Sequence, residues 1–192
     1  DDIIFFAEDP ALPPEPEPFP NRVIFVAAFD TGAEGPARAK YFPGEFEVVQ
    51  GKPAGAYWGC AKAVPYNNGK GRRIQLKIDP PRPVGAHTKA RFRYHLTGAA
   101  QMQVQVFDLT DMDNRHVKLK DCTQGQWTFA YVNFTKDGKR NDGKETPFAA
   151  GHKVDDLFFL VDGENAELHI DEVCLFDAAE PAAAAPKDPP KE

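Results

Sequence analysis

Short β-rich runs separated by turn dipeptides fill the chain between residues 21 and 177, and this punctuation restricts the fold more than any other feature. The runs fall at 23–29, 46–49, 73–78, 90–96, 102–109, 116–119, 127–134, 156–161 and 168–176. Asn67-Asn68-Gly69, Asp137-Gly138, Asp142-Gly143 and Asp162-Gly163 supply the turn chemistry between them. No window of about eleven residues keeps an apolar stripe at helical spacing, and the Ala-rich pieces carry Pro or Gly. The spacing predicts about nine strands in an all-β, two-sheet antiparallel β-sandwich.

The ends read differently. Of 18 prolines in 192 residues, six lie in 1–20 and four in the last twelve residues. PPEPEPFP reads as extended polyproline II, and AAEPAAAAPKDPPKE as a low-complexity spacer. The expected organisation is therefore an acidic Pro-rich arm at 1–20, a sandwich at 21–177 and an Ala/Pro-rich tail or linker at 178–192, either end able to lead to a neighbouring domain. The net charge of −6 resides in the arm, which holds six acids and no Lys or Arg. A body this close to neutral lacks the concentrated basic face that displaces counterions from nucleic acid, so that partner is excluded. Apolar runs are strand-sized, well short of a membrane span. The acidic start has no basic n-region or long apolar core, and the expectation is an exported protein (secreted, periplasmic or cell-surface) whose signal was removed.

The chain contains no serine, which removes serine-nucleophile chemistry. Cys60, Cys122 and Cys174 show no CxxC spacing and so no zinc site; one disulfide plus a thiol, or three buried thiols, both fit. Two runs alternate strongly. In RFRYHL, Arg91, Arg93 and His95 oppose Phe92, Tyr94 and Leu96; in QMQVQVFDL, Gln101, Gln103 and Gln105 oppose Met102, Val104 and Val106. If the two pair as a hairpin across Thr97-Gly98-Ala99-Ala100, guanidinium, imidazole and amide groups share one sheet surface.

Taken in order, AAFDTG, KARFRYHL, QMQVQVFD, GQWTFAYVNF, DDLFFLVDG and AELHIDEVCLFD resemble the jelly-roll carbohydrate-binding modules, also called galactose-binding-like domains, over most of 21–177. The I-D-E-V-x-L closing strand is the most telling piece. The resemblance implies a sandwich whose ligand site lies on a concave sheet face or at edge loops. It also implies a structural calcium ion held by acids of the opening segment and closing strand; Asp30 and Asp171 match those positions, with Glu34 a weaker candidate, and Trp127 matches a tryptophan packed beside the core. The D-x-D-N run at 111–114 lacks the glycine and distant Glu of a calcium loop.

Protein recognition of sugars combines aromatic faces with planar polar groups. Trp58, Tyr57 and Tyr66 in GAYWGCAKAVPYNNG, and Tyr131 with Phe129, supply the first; Arg91, Arg93, His95, Gln101, Gln103 and Gln105 supply the second. The expected function is a non-catalytic carbohydrate-binding or accessory module for a polysaccharide or oligosaccharide. A polysaccharide lyase or hydrolase would use His95 with Arg91, Arg93 and Tyr131, but no histidine sits in an HxH or HExxH pattern and no carboxylate pair is marked by context. A structural or protein-interaction sandwich would instead bury Trp58, Tyr66 and Tyr131. The Asn133-Phe134-Thr135 sequon falls inside an expected strand.

Overall fold

The structure, a computed structural model, describes residues 22–30, 34–37, 43–50 and 58–178. The N-terminal arm, nearly all of the C-terminal tail and Tyr57 lie outside the described residues. In chain order the strands are β1 (Arg22–Ala27), β2 (Gly35–Pro36), β3 (Gly44–Glu45), β4 (Glu47–Gln50), β5 (Gly59–Lys62), β6 (Val64–Tyr66) and β7 (Gly71–Pro83). They continue with β8 (Thr88–Thr97), β9 (Met102–Asp108), β10 (Asp113–Leu119), β11 (Thr128–Asn133), β12 (Lys139–Arg140), β13 (Lys153–Asp162) and β14 (Glu167–Asp177). A single helical turn, α1 (Phe134–Asp137), follows β11.

The strands form two antiparallel sheets packed as a sandwich. The first runs β11-β8-β14-β5-β4-β2, with β1 also pairing β14; the second runs β12-β10-β9-β13-β7-β3, with β6 also pairing β7. All nine expected strands are present. The five that the sequence did not announce, β2, β3, β5, β6 and β12, are two to four residues long, too short for alternation to register. The sequon sits at a strand end rather than inside a strand. Asn133 is the N-cap of α1, its Oδ1 accepting from Lys136 N at 3.1 Å and from Thr135 Oγ1 at 3.0 Å.

Every second residue of the long strands points between the sheets. Phe92 and Phe159 meet edge to face at 4.8 Å across the interior, with Leu96, Val104, Val106, Leu157, Leu168 and Ile170 fully buried around them. Cys60, Cys122 and Cys174 are all free thiols, so the three-thiol alternative holds.

The two alternating runs do not pair as a hairpin. β8 pairs β11 and β14 in the first sheet, whereas β9 pairs β10 and β13 in the second. The connecting residues cross the edge of the sandwich and are tied down there. Gly98 N donates to Gln124 Oε1 at 3.1 Å, and Cys122 N to Ala100 O at 2.9 Å. Gly98 has φ +73°, and a Cβ on it would lie 2.8 Å from Asn165 O. A close passage against the 165–166 turn thus replaces a tight two-strand turn. The polar sides of β8 and β9 consequently face opposite exteriors of the sandwich.

One charged network lies within the second sheet's end. Arg115, 1% exposed, points inward and contacts Asp108, Asp111, the carbonyl of Thr146 and the face of Phe148 at 5.5 Å. Asp108 is fully buried and also meets His152 Nδ1 at 2.8 Å. Arg140 joins from β12, pairing Asp142 and Asp111 at 2.6 Å each. The D-x-D-N run therefore serves as an anchor for the 141–152 loop. Removing the cation leaves Asp108 buried without its counter-charge, a loss of about 3–5 kcal/mol. Arg115→Ala is expected to lower the urea unfolding midpoint accordingly and to release the 141–152 loop to proteolysis; a change near zero would contradict this role.

Candidate functional site

On the first sheet's outer face the strands bring together most of the expected binding residues. β8 presents Arg91, Arg93 and His95; β11 adds Phe129 opposite Arg93 and Tyr131 opposite Arg91; β14 adds His169 opposite His95 and Asp171 opposite Arg93. Trp58 and Trp127 enter from the segments just before β5 and β11, their ring centroids 5.9 Å apart. Trp127 is half-buried there, against His95 at 5.9 Å, and not beside the sandwich core as the resemblance implied.

Most of this cluster is held by its own contacts, while Tyr131 stays 38% exposed. The Arg93 guanidinium lies over the Trp58 ring at 4.3 Å and over Phe129 at 5.6 Å while pairing with Glu172 at 3.2 Å. One face of the Trp58 ring is thereby covered. His95 and His169 are 6% and 4% exposed and meet edge to face at 6.2 Å. Burial, with Lys62 and His95 nearby, pulls the His169 pKa down to about 4, so it is a neutral ring. Burial also pushes the Cys60 thiol up to about 12, which leaves it unreactive.

β14 carries a bulge at this point. Glu172 adopts φ +49° where the register slips between Asp171 and Cys174. Asp171 faces outward beside Arg93, and Glu172 reaches the same guanidinium. Asp171 is 2% exposed, its Oδ1 has no hydrogen-bond partner, and burial together with the Asp30 and Glu172 carboxylates pushes its pKa up to about 7. Asp30 is exposed and accepts from Gly59 N at 2.6 Å; Glu34 accepts from Gln50 N at 3.2 Å.

The second sheet's outer face holds Gln103, Gln105 and Tyr66, while Gln101 is exposed just ahead of β9. Here the register builds straight rows across the strands. One row reads Glu45, Gln75, Phe158, Gln105, His116 and Lys139 on β3, β7, β13, β9, β10 and β12. The neighbouring rows read Arg73, Leu160, Gln103, Lys118 and Lys77, Asp156, Phe107, Asn114. Tyr66, 40% exposed, closes one edge with Arg73 over its ring at 4.7 Å. Asp156 accepts from Gln75 Nε2 and Lys77 Nζ, both at 2.7 Å, which fixes both side chains and raises the Lys77 pKa. No hydrogen bond among the described residues uses the side-chain amides of Gln103 or Gln105. Phe158, Phe107 and Leu160 are half-buried between these polar groups.

The structure thus separates Arg91, Arg93, His95, Tyr131, Trp58 and Asp171 on one exterior from Gln103, Gln105 and Tyr66 on the other. Gln75, Phe158, Phe107 and His116 were missed: RRIQLK alternates visibly around Gln75, but Phe158 lies in the unbroken apolar run 157–161, which marks no outward face. Their membership in one row depends on strand register, which no run reveals alone.

A metal is not defined by the described residues as a three-ligand cluster on the first sheet. The one such group, Asp108, Asp111 and His152, already has its carboxylates held by Arg115 and Arg140. Asp171, with its unpartnered oxygen and Asp30 nearby, has the hard-oxygen chemistry that suits calcium.

Asp171 makes a signed prediction. Its folded pKa lies above that of the unfolded chain, so in EDTA its stabilising contribution is complete below about pH 4 and disappears as pH rises through about 7. His169 acts oppositely, its contribution being lost as pH falls from about 6.5 toward 4. Urea midpoints measured from pH 4 to 8 should therefore decline less toward pH 8 in Asp171→Asn than in the parent. Parallel curves would contradict the burial of this carboxyl.

No protein-family model matches the chain, and no curated protein matches it. Solved structures do. A family 11 carbohydrate-binding module from Clostridium thermocellum, in complex with a β-1,3-1,4-mixed-linked tetrasaccharide, superposes with TM-score 0.52 at 10% identity, covering 81% of this chain and 96% of that one. The family 11 module of a cellulosomal cellulase from the same organism gives 0.52 at 9% identity over 83% and 99%. The agarase AgWH50C gives 0.51 at 10% identity over 82% of this chain and 26% of its own length. Identities this low establish architecture alone, and the architecture shared with these structures is the two-sheet antiparallel β-sandwich of jelly-roll type.

Proposed function

We propose that this chain is a non-catalytic carbohydrate-binding module that takes an extended oligosaccharide across the outer face of its second sheet. The in-register row Gln75, Phe158, Gln105, His116 supports this most. Strands about 4.8 Å apart make the six-strand row roughly 24 Å long, enough for several pyranose rings in line. Phe158 and Phe107 offer apolar surface for sugar C–H faces, and the amides of half-buried Gln103 and of Gln105, 8% exposed, can bond neighbouring hydroxyls in pairs. The family 11 module holding a mixed-linked tetrasaccharide shares the architecture, which supports a glycan as ligand class. A polysaccharide ligand and spacer-like ends fit an exported accessory module attached to neighbouring domains. No helix among the described residues is long and apolar enough to cross a membrane.

The lyase reading loses support because its base, His95, is buried under Trp127. The first sheet's outer face fits a stabilising role, with calcium between the opening and closing segments. Asp30 and Asp171 would hold it, and the ion would supply the charge that Asp171 lacks. Calcium is then expected to raise the thermal midpoint over EDTA in the parent and not in Asp171→Asn; equal shifts in both would overturn the assignment.

Binding is tested by calorimetry against mixed-linkage glucan, xylan, galactan and agarose oligosaccharides. Phe158→Ala should weaken binding at least tenfold, and Gln105→Ala comparably. Tyr131→Ala, on the other face, should leave it unchanged. Sensitivity to Tyr131→Ala with indifference to Phe158→Ala would move the site to the first sheet.

A further inference from the structure

The cations of the second sheet's outer face are not treated alike. At its β7 side each has a carboxylate: Arg73 pairs with Glu45, and Lys77 with Asp156. At the β10–β12 side, Lys118 and Lys139 are exposed and form no ion pair among the described residues. They flank His116, Lys139 directly opposite it on β12 and Lys118 two residues along the same strand. Both ammonium groups act on the His116 ring, whose pKa burial lowers and a side-chain hydrogen bond with Asn141 partly restores, while its Nδ1 is buried without a partner. Asp113 is the one acid near enough to act on His116, and it belongs to the Arg140 network, with its other oxygen accepting from Asn114 N at 2.8 Å. Two like charges therefore flank the end of the sugar row on neighbouring strands, and no carboxylate among the described residues pairs with either.

We propose that the module's ligand is an acidic glycan, whose carboxylate or sulfate ester seats between Lys118 and Lys139 beside His116 while its neutral rings cross Gln105 and Phe158. This deepens the carbohydrate-binding reading and rests on it. An anion there gives the two ammonium groups, which lack a counter-charge, a pair of charge-assisted bonds. The paired cations at the β7 side make that end suited to neutral sugar, so the face also sets the direction in which the chain lies.

The experiment compares ligands of one backbone that differ only in charge: oligogalacturonate against its methyl ester, and a sulfated galactan oligomer against the desulfated form. Calorimetry is run with the full chain, with Lys118→Gln/Lys139→Gln, and with Lys62→Gln/Lys89→Gln, which removes equal charge from the other face. At least one acidic ligand should bind tenfold or more tighter than its neutral form. That margin should vanish in Lys118→Gln/Lys139→Gln, persist in Lys62→Gln/Lys89→Gln and shrink as salt rises from low to physiological strength. Preference for the oligogalacturonate assigns a carboxylate, and preference for the sulfated galactan assigns a sulfate ester. Neutral ligands that bind as well as charged ones, still sensitive to Phe158→Ala, overturn the acidic-glycan proposal and leave the sugar face standing. Absence of binding to every glycan overturns both.

Discussion

A strand in a two-sheet sandwich can give only alternate residues to the interior, and the use made of the remaining half governs everything else in this protein. The inward half is satisfied conventionally, by Phe92, Phe159 and a surround of aliphatic side chains. The outward halves of the two sheets solve the same problem in different ways. One is closed over by its own aromatics and ion pairs. The other sets planar polar groups in straight rows, among which the Gln103 and Gln105 amides have no hydrogen-bond partner among the described residues, and recognition of an external ligand needs such groups.

The closed face is a second, polar layer of structure. Arg93 links it, lying over Trp58 and Phe129 and pairing with Glu172, while His95, His169 and Asp171 sit almost without solvent contact beneath. Such groups are costly unless their charge is removed or balanced. His169 is neutral and Asp171 half-neutral near pH 7, which is how the face tolerates them. The bulge at Glu172 belongs to the same solution, because it brings a second carboxyl to the Arg93 guanidinium. A cation at Asp30 and Asp171 would complete the balance.

Much of the fold was legible because long strands announce themselves through alternation and their turns through Asn-Gly and Asp-Gly pairs. All nine expected strands exist, and the closing strand 168–176 lies where its pattern placed it. Pairing was not legible. RFRYHL and QMQVQVFDL are equally compatible with one sheet or two, since either arrangement buries the same apolar half; the choice is made at Gly98 and the 122–125 segment, far from either pattern. The error carried into the site, because Gln103 and Gln105 were placed with Arg91, Arg93 and His95 when they lie on opposite exteriors. Trp58 carries Arg93 over its ring, and Trp127 stands beside it on the outer face rather than next to the core. Phe158 and Gln75 acquire meaning only from register, since a single run shows which residues face out but not which strand stands beside it.

The central claim is that ligand enters on the second sheet's outer face. Mapping backbone amide chemical-shift changes during titration with a mixed-linkage glucan or oligogalacturonate tests it most directly. The account predicts perturbations concentrated on β7, β9, β10 and β13 around Gln75, Gln103, Gln105, His116 and Phe158, with β8, β11 and β14 silent. Perturbations centred on Arg91, Tyr131 and His169 would contradict it and make the closed face the binding surface.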